Sequence, residues 1–378
     1  MDLKAVQTIA EAQRIWMRNS LRALVEQESP SEDRPSVNAA AALVEKFALK
    51  QGFQSRRYPG KEFGDILELQ LLAPHSKQKP ILLLGHLDTV WPLGTLKTMP
   101  WREEKGRYWG PGVLDMKAGV VMALAAVSVL QRLKLERPVT LLWNSDEEVG
   151  SPVSRKITER LAKKSAAVFV LEPAQGLAYK TSRKGVGFYE VEVKGVAAHS
   201  GVDFERGHSA ILEMARLVQT ISGFTDLKRK LTLNCGVIAG GTRSNVIAER
   251  ACAEVDVRIA KAADAAYVEK LLRKLRVSDP HCRLKITGGI NRPPMERKPG
   301  TVALFKQARR LAAELGFELD EAASGGGSDG NFTSALGVPT LDGMGAVGEG
   351  AHAAHESVVI EHLVPRTALL AAMIASTP

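Results

Sequence analysis

The chain has 378 residues, of which 45% are hydrophobic and 25% are charged, and its formal net charge is +9. The length allows about two domains, and the composition is that of an ordinary globular protein. The basic residues are scattered and no aromatic residues interleave with them, so nucleic acid is excluded as the expected partner.

The sequence shows neither a membrane span nor a secretory signal. No apolar run reaches the ~18 residues that a membrane-spanning helix requires, so no membrane partner is expected. Residues 1–27 predict an amphipathic helix without the pattern of a signal peptide. Cys235, Cys252 and Cys282 lie far apart and form neither CxxC pairs nor an even disulfide set. These features predict a cytoplasmic protein in which any bound metal has ligands other than sulfur.

Short apolar runs alternate with helical patterns through most of the chain. Strands are predicted at 81–85, 139–143, 167–172 and 338–343, and the clearest helices at 117–134 and 301–316. Continuous apolar runs are typical of strands that are buried on both faces. We therefore predict an α/β fold, with a mixed, largely parallel sheet covered by helices on both faces.

The middle of the chain has a different pattern. Residues 186–195 and 251–260 alternate between apolar and polar, as in strands with one exposed face, and helices are predicted at 207–221 and 264–276. This combination predicts a smaller α+β domain at residues 183–291. It would interrupt a catalytic domain made of residues 1–182 and 292–378.

Histidine and acidic residues follow the ends of the predicted buried strands. In chain order they are His86 and Asp88, Asp115 at a helix start, Glu147 and Glu148, Glu172, and finally His352, His355 and Glu356. Alone, each could be a turn residue or a helix cap, and the acidic triplet at 146–148 could be a surface turn. Ligands of open α/β sheets bind at the carboxyl ends of the strands, so we expect these side chains to meet at one edge. Two histidines with several carboxylates suit two divalent metals that share a bridging carboxylate.

The adjacent acids Glu147 and Glu148 are explained by a division of roles. One can coordinate a metal while its neighbour stays unligated and takes a proton from the attacking water. Asp88, two residues after His86, can accept the other imidazole N–H and so select the histidine tautomer. Zinc, cobalt and manganese all suit such ligands.

A GxGxxG match at 343–348 follows the last predicted strand. A dinucleotide site needs a helix immediately after this motif and a further strand with an acid. The chain instead continues as EGAHAAHES, with room for only one final helix. A dehydrogenase function is therefore rejected.

Eight motifs together resemble those of one known family. They are GHLDTV, GPGVLDMKAG, NSDEEVGS, LEP, GVAAHSG, GGTRSNVI, GGGSD and GAHAAHE, and they run in family order from about residue 80 to the end of the chain. The sequence resembles the co-catalytic dizinc exopeptidase and amidohydrolase family. That family includes glutamate carboxypeptidase, acetylornithine deacetylase, succinyl-diaminopimelate desuccinylase and aminoacylase.

The resemblance implies a role for each matching position in a site with two zinc ions, or cobalt or manganese in their place. The implied metal ligands are His86 and Glu172 for one ion, Asp115 as the bridge, and Glu148 and His352 for the other. Glu147 is the implied general base. The glutamate at 172 fits the glutamate carboxypeptidase branch better than the dipeptidase side, where Asp is more common.

The resemblance also implies that the inserted domain is a lid that forms a homodimer. His199 would reach the partner subunit's active site and stabilise the oxyanion. Asn245, Arg292 and Gly327 would bind substrate, Arg292 through the bidentate grip of guanidinium on a terminal carboxylate.

The expected function is metal-dependent hydrolysis of an amide bond that releases a C-terminal amino acid. The expected substrate is a small peptide or N-acyl amino acid with a free carboxylate. An N-acyl amino acid deacylase on the same scaffold remains open as the alternative.

Overall fold

The computed structural model describes residues 1–378 and divides them into two compact units. The first unit comprises Met1–Ser182, Arg297–Ser324 and Ser328–Pro378, and the inserted unit comprises Arg183–Glu296 with Gly325–Gly327. The inserted unit thus extends beyond the predicted limit at residue 291. Backbone pairing between Arg183 and Met295 continues the unit past that point. The Arg183 guanidinium also donates to the carbonyl oxygens of Gly326 and Gly327, which attaches 325–327 to the inserted unit.

Ten α-helices occur along the chain. They are α1 (Leu3–Glu11), α2 (Arg14–Glu26), α3 (Arg34–Leu49), α4 (Ala118–Arg132), α5 (Arg155–Ala162), α6 (Ala210–Ser222), α7 (Ala263–Arg273), α8 (Pro299–Glu314), α9 (Gly330–Ala335) and α10 (Ile360–Ser376). The single N-terminal helix expected at 1–27 is two helices, because the chain makes a turn at Ala12–Gln13 in which the Gln13 N–H donates to Ala10.

Sixteen β-strands complete the fold. They are β1 (Gln54–Tyr58), β2 (Ile66–Leu71), β3 (Ile81–His86), β4 (Arg102–Glu104), β5 (Arg107–Trp109), β6 (Val139–Asn144), β7 (Ala167–Val170), β8 (Tyr179–Arg183), β9 (Gly185–Lys194), β10 (Thr232–Gly240), β11 (Arg250–Ile259), β12 (Arg283–Arg292), β13 (Glu321–Ser324), β14 (Thr340–Leu341), β15 (Gly348–Glu349) and β16 (Ser357–Val359).

The first unit is built on a six-stranded sheet with the order β1-β2-β6-β3-β7-β14. Strands β6, β3, β7 and β14 are parallel, whereas β1 and β2 add an antiparallel edge. Leu82 and Leu84 of β3 pack in a cluster with Leu161 of α5, and Leu83 packs in the larger core with α4. Both faces of the sheet are therefore buried, which confirms the predicted α/β fold with a largely parallel sheet.

One helical stretch, Val113–Arg132, is long and apolar enough to cross a membrane by length and composition alone, with a mean hydropathy of 1.9. In this structure, 89% of the most apolar 18-residue window of this stretch is buried inside the protein. Such burial is typical of the central helix of a globular core.

The inserted unit is a four-stranded antiparallel sheet with the order β10-β11-β9-β12, together with α6 and α7. Val191 and Val255 on one face of the sheet pack with Met214 of α6 and Val268 of α7. The opposite face is more open, and Phe188 there is 56% exposed. The alternation read from the sequence reflects this one-sided burial.

Arg366 of α10 stabilises a turn of the first unit from inside the core. Its side chain is buried and donates to the carbonyl oxygens of Gly343 and Gly345, each at 2.8 Å. The guanidinium also stacks over the Tyr179 ring, with 4.6 Å between its Cζ and the ring centroid.

We expect Arg366→Met to lower the free energy of unfolding by about 3 kcal/mol, because two buried carbonyl oxygens lose their donors. Denaturant unfolding monitored by circular dichroism measures the change. Arg310→Met, at an exposed position of α8, is the matched control. Equal stability of the two variants would contradict the assignment.

Candidate metal centre

The carboxyl ends of three adjacent parallel strands bring the predicted ligands to one edge of the sheet. His86 ends β3 and pairs in register with Asn144, the last residue of β6. The loop after β6 then carries Glu147 and Glu148. Beyond β7, the Leu171 N–H donates to Leu84 of β3 at 2.9 Å, and Glu172 follows immediately.

Asp115 lies between two histidines. Its Oδ1 is 3.2 Å from His86 Nε2, and its Oδ2 is 3.3 Å from His352 Nε2. Glu172 Oε1 is 3.5 Å from the same His86 nitrogen, and Glu148 Oε2 is 3.3 Å from the same His352 nitrogen. Two groups of one histidine and two carboxylates are thus joined by the two oxygens of one aspartate.

Glu147 lies beside the His86 group. One ligand atom each from Glu147, His86 and Glu172 fall within 4.8 Å of one another. The Glu147 side chain is half-buried. It is close enough to exchange a proton with a small molecule held by this cluster.

Glu356 holds the segment that carries Asp115. Its buried carboxylate accepts backbone N–H bonds from Gly112, Leu114 and Asp115 at 2.8–3.0 Å, and a bond from Trp91 Nε1 at 2.7 Å. Asp115 therefore projects from a short turn, Val113–Lys117, whose amide groups are fixed by one carboxylate. The peptide bond between Asp115 and Met116 is cis.

Asp88 contacts both the imidazole of His86 and the loop that carries the two glutamates. His86 Nδ1 is 2.9 Å from the backbone oxygen of Asp88 and 3.4 Å from its carboxylate. The carboxylate also accepts backbone N–H bonds from Glu147 and Glu148, at 3.3 and 3.1 Å, and a bond from the Ser31 hydroxyl at 2.7 Å. The main-chain carbonyl and the carboxylate of Asp88 therefore both face the imidazole, and the carboxylate also fixes the turn that carries the two glutamates.

Asp146, the first acid of the triplet, has a structural role. It is fully buried, and its Oδ2 accepts the N–H groups of Val153 and Ser154 at 2.7 and 3.1 Å. Burial raises the pKa of Asp146. The three consecutive acids therefore divide into one that shapes the loop and two that face the cluster.

The charges of the cluster depend on one another. Hydrogen bonds with Asp115 and Glu148 raise the pKa of His352 to about 10. Burial alone would lower the pKa of His86, but hydrogen bonds with Asp115, Asp88 and Glu172 outweigh it and raise that pKa well above its ordinary value. Burial also raises the pKa of Glu148. Each histidine therefore takes a proton to balance the carboxylates, and a divalent cation would replace those protons.

The residues present fit a pair of divalent metals. The ligand atoms of one tetrahedral zinc lie roughly 3.3 Å apart, and the contacts in each half of the cluster measure 3.2–3.5 Å. Glu148 Oε1 is buried and has no hydrogen-bond partner, which leaves a donor atom available to a cation. The set contains imidazole and carboxylate groups and no thiol, as zinc, cobalt and manganese accept.

His355, the extra histidine, does not belong to the cluster. It is exposed, and its backbone packs closely against Gly350, where a Cβ would be only 2.8 Å away. His352 is also half-exposed, but it adopts a left-handed backbone conformation, with φ of 62°, and reaches both Asp115 and Glu148. Nonglycine residues with such conformations are often found at functional sites.

The remaining predicted site residues belong to the inserted unit. His199 and Asn245 are exposed neighbours, since the backbones of His199 and Val246 pair and the Ser200 N–H donates to Asn245 at 3.0 Å. Arg292 is buried, and Gly327 lies against it. A Cβ on Gly327 would be 2.9 Å from Arg292 Cδ, so only glycine allows this approach.

The supporting residues are what sequence reasoning missed. No local pattern marks Ser31 or Trp91 as parts of the site, because their partners are distant in sequence. Asp146 belongs to the acidic triplet, but its bonds to the backbone of Val153 and Ser154 were not predicted. Glu356 was among the acids identified from the sequence and follows His352 by four residues. Nothing in the sequence marks its partners, which are Trp91 and backbone N–H groups. Asp329 of the GGGSD motif accepts bonds from Asn144 and Ser151 and so belongs to the framework of the first unit.

Comparison with known proteins confirms the resemblance drawn from the motifs. The model of peptidase family M20/M25/M40 matches residues 82–376. Carboxypeptidase G2 of Pseudomonas sp. (strain RS-16) is 29% identical over 362 residues, which cover 93% of this chain and 87% of that protein. Acetylornithine deacetylase of Myxococcus xanthus is 27% identical over 377 residues, which cover 95% and 97%. The crystal structure of aminopeptidase PepT from Bacillus cereus ATCC 10987 superposes with a TM-score of 0.81 at 20% identity, covering 96% of this chain and 98% of that one.

We expect Glu356→Gln to weaken zinc binding by about tenfold to 100-fold, because an amide cannot accept the three N–H bonds that orient Asp115. Competition with a chromophoric chelator measures the affinity. Glu361→Gln, at an exposed position of α10, should bind zinc as the unmodified protein does. If Glu356→Gln also retained full affinity, Glu356 would not position the ligand.

Proposed function

This chain belongs to peptidase family M20/M25/M40 and is a hydrolase of amide bonds; we propose that it is a dinuclear zinc enzyme that releases a C-terminal amino acid from a small peptide. The observation that carries the proposal is the position of Asp115, whose two oxygens each approach a different histidine. A bridging carboxylate between two imidazoles is the arrangement that two catalytic metals require.

The proposed ligands of one zinc are His86, Asp115 and Glu172, and those of the other are His352, Asp115 and Glu148. Cobalt or manganese could occupy the same positions, because the ligand types do not distinguish them. When bound, the metals would polarise the substrate carbonyl and lower the pKa of water.

The residues of the chain supply the proton transfers. Glu147 is the proposed general base: it takes a proton from the attacking water and later returns it to the leaving amine. Its backbone N–H is held by Asp88, which keeps its carboxylate next to the His86 group. A general base must lie near the attacking water without itself binding the metal. Glu147 meets this condition, because it lies beside the His86 group and is not one of the five proposed ligands.

We expect Glu147→Gln to bind two zinc ions and to lose about 10²- to 10⁴-fold in kcat, because the amide cannot carry the proton. Glu148→Gln should instead lose one zinc. Elemental analysis of the purified variants, together with steady-state kinetics, separates the two roles. Loss of zinc from Glu147→Gln to the same extent would show that base and ligand are misassigned.

Arg292 is proposed to bind the substrate's terminal carboxylate. The side chain is buried, and the absence of a side chain at Gly327 lets the loop backbone lie against it. Guanidinium binds carboxylate through two parallel hydrogen bonds. The same contact serves a carboxypeptidase and an N-acyl amino acid deacylase, so the deacylase remains the second candidate, supported by the similarity to acetylornithine deacetylase.

A substrate panel tests both candidates and the role of Arg292. We expect Arg292→Met to reduce kcat/KM roughly tenfold to 100-fold for substrates with a free carboxylate. The loss should be small for the corresponding carboxamides. Arg297→Met, at a half-exposed arginine of the first unit, is the control. Peptides and folate-type conjugates ending in glutamate should be tested first, beside N-acetyl and N-succinyl amino acids; an equal loss for acids and amides would contradict the proposal.

The inserted unit is proposed to form a homodimer. Strand β10 is an edge of its sheet, and Val237 and Ile238 on this strand are 52% and 58% exposed. Ile211 of α6 is 45% exposed and would contact a side chain placed at Gly240 of β10. An apolar edge strand with unpaired backbone groups is suited to pairing with a second copy of the chain.

The exposed His199 is proposed to act in the active site of the other subunit of the dimer, where it stabilises the oxyanion. Separately purified His199→Ala and Glu147→Ala proteins should each be inactive. After mixing and subunit exchange, about a quarter of the wild-type activity should return, because each heterodimer has one complete site. Light scattering verifies the dimer. No recovery in a mixture shown to contain heterodimers would contradict the role in trans.

A cytoplasmic location is part of the proposal. Cys235, Cys252 and Cys282 are all free thiols. Free cysteines without disulfides are typical of a reducing compartment.

A further inference from the structure

A small polar pocket lies at the other end of the six-stranded sheet from the metal centre. Its volume is about 160 Å³. Its lining includes Pro80 directly before β3, Thr140 as the second residue of β6, and Ser165 shortly before β7. These are the amino ends of the strands whose carboxyl ends carry the metal cluster. The length of β3 alone separates the two ends by roughly 17 Å.

Three cationic side chains converge on this pocket. Arg56 comes from β1, Arg160 from the last turn of α5, and Lys164 from the turn that follows this helix. Their charges are not balanced by carboxylates, since none of the three makes an ion pair. The two guanidiniums lie on the Tyr58 ring, with their Cζ atoms 4.7 and 5.1 Å from its centroid, and this stacking holds them in place.

A hydroxyl group on the pocket wall also has no hydrogen-bond partner within the protein. Thr140 is only 6% exposed, lines the pocket, and makes no side-chain hydrogen bond. Its Oγ1 can therefore donate a hydrogen bond to an anion in the pocket.

The only acid of the lining is already hydrogen-bonded within the wall. Glu68 is buried, and its two oxygens accept bonds from the Tyr58 hydroxyl and from Gln70. The Tyr58 hydroxyl in turn accepts a bond from Arg160 at 2.8 Å. Three positive charges and one negative charge leave a net of two positive charges around a small volume.

We propose that this pocket binds a tetrahedral dianion, inorganic phosphate or the phosphoryl group of a small metabolite, through Arg56, Arg160, Lys164 and the Thr140 hydroxyl. Arginine and lysine are the usual phosphate ligands, and the volume is smaller than the 300–1,000 Å³ typical of sites for larger ligands. Because Arg56 lies on the edge strand β1 and the other two cations lie on α5 and the turn after it, the anion connects β1 with this helical segment. Bound phosphate therefore stabilises the first unit. The pocket shares no residue with the metal centre.

Calorimetric titration of the metal-loaded protein with inorganic phosphate, at constant ionic strength set by sodium chloride, tests this site. We expect saturable binding and a phosphate-dependent rise in Tm. Thr140→Val keeps the shape of the residue but removes the hydroxyl, and Lys164→Gln removes one charge; each should weaken binding about tenfold. Lys163→Gln, at the exposed neighbouring position, should leave binding unchanged.

The alternatives give different results. Phosphate that binds only at the metal centre would bind Thr140→Val and Lys164→Gln as it binds the unmodified protein, and this would overturn the proposal. A Tm rise reproduced by sodium chloride at matched ionic strength would mean charge screening and would also overturn it. Titration with glycerol phosphate distinguishes the two sources: tighter binding than inorganic phosphate identifies a phosphomonoester site, and weaker binding identifies a site for the free anion.

Discussion

The sharing of one carboxylate between two imidazoles is the interaction on which the site depends. Asp115 places one oxygen beside His86 and the other beside His352, and a further glutamate accompanies each histidine. Four carboxylates, counting Glu147, would repel one another at this separation unless positive charge lay between them. The raised pKa values of both histidines show the cluster drawing in protons to meet that need. Divalent cations would supply this positive charge more fully than protons do, and with a fixed coordination geometry.

The framework around the site is arranged to hold this concentration of charge. Asp88 and Glu356, both buried, use their carboxylates to bind backbone amides of the segments that carry the ligands. Each therefore fixes the main chain that carries the ligands, and Asp88 also lies against the His86 imidazole. The parallel strands β3, β6 and β7 supply the common edge, and the rigid core beneath them keeps the ligand positions from relaxing apart.

Much of this arrangement could be predicted from the sequence, because buried strands and the residues that follow them leave local signals. The strands at β3, β6 and β7, and the clustering of the acids and histidines after them, follow from apolar runs and from the rule that ligands bind at the carboxyl ends. The antiparallel strands β1 and β2 were not predicted; Gln54–Tyr58 of β1 is polar and lies at an exposed edge of the sheet. Strand β14 has only two residues, although the apolar run had indicated a longer one. The backbone N–H groups that the Asp88 carboxylate binds, besides facing the imidazole, were not predicted, because sequence spacing does not show them. The pocket beside Tyr58 was also missed, because its residues come from five separate segments.

The bridging role proposed for Asp115 requires one cation beside each of its two oxygens. Anomalous diffraction at the zinc edge, from crystals of the zinc-loaded protein, tests it most directly. We expect two anomalous peaks, one beside each oxygen of Asp115, the first in contact with His86 and the second with His352. A single peak, or peaks that Asp115 does not contact, would contradict the account.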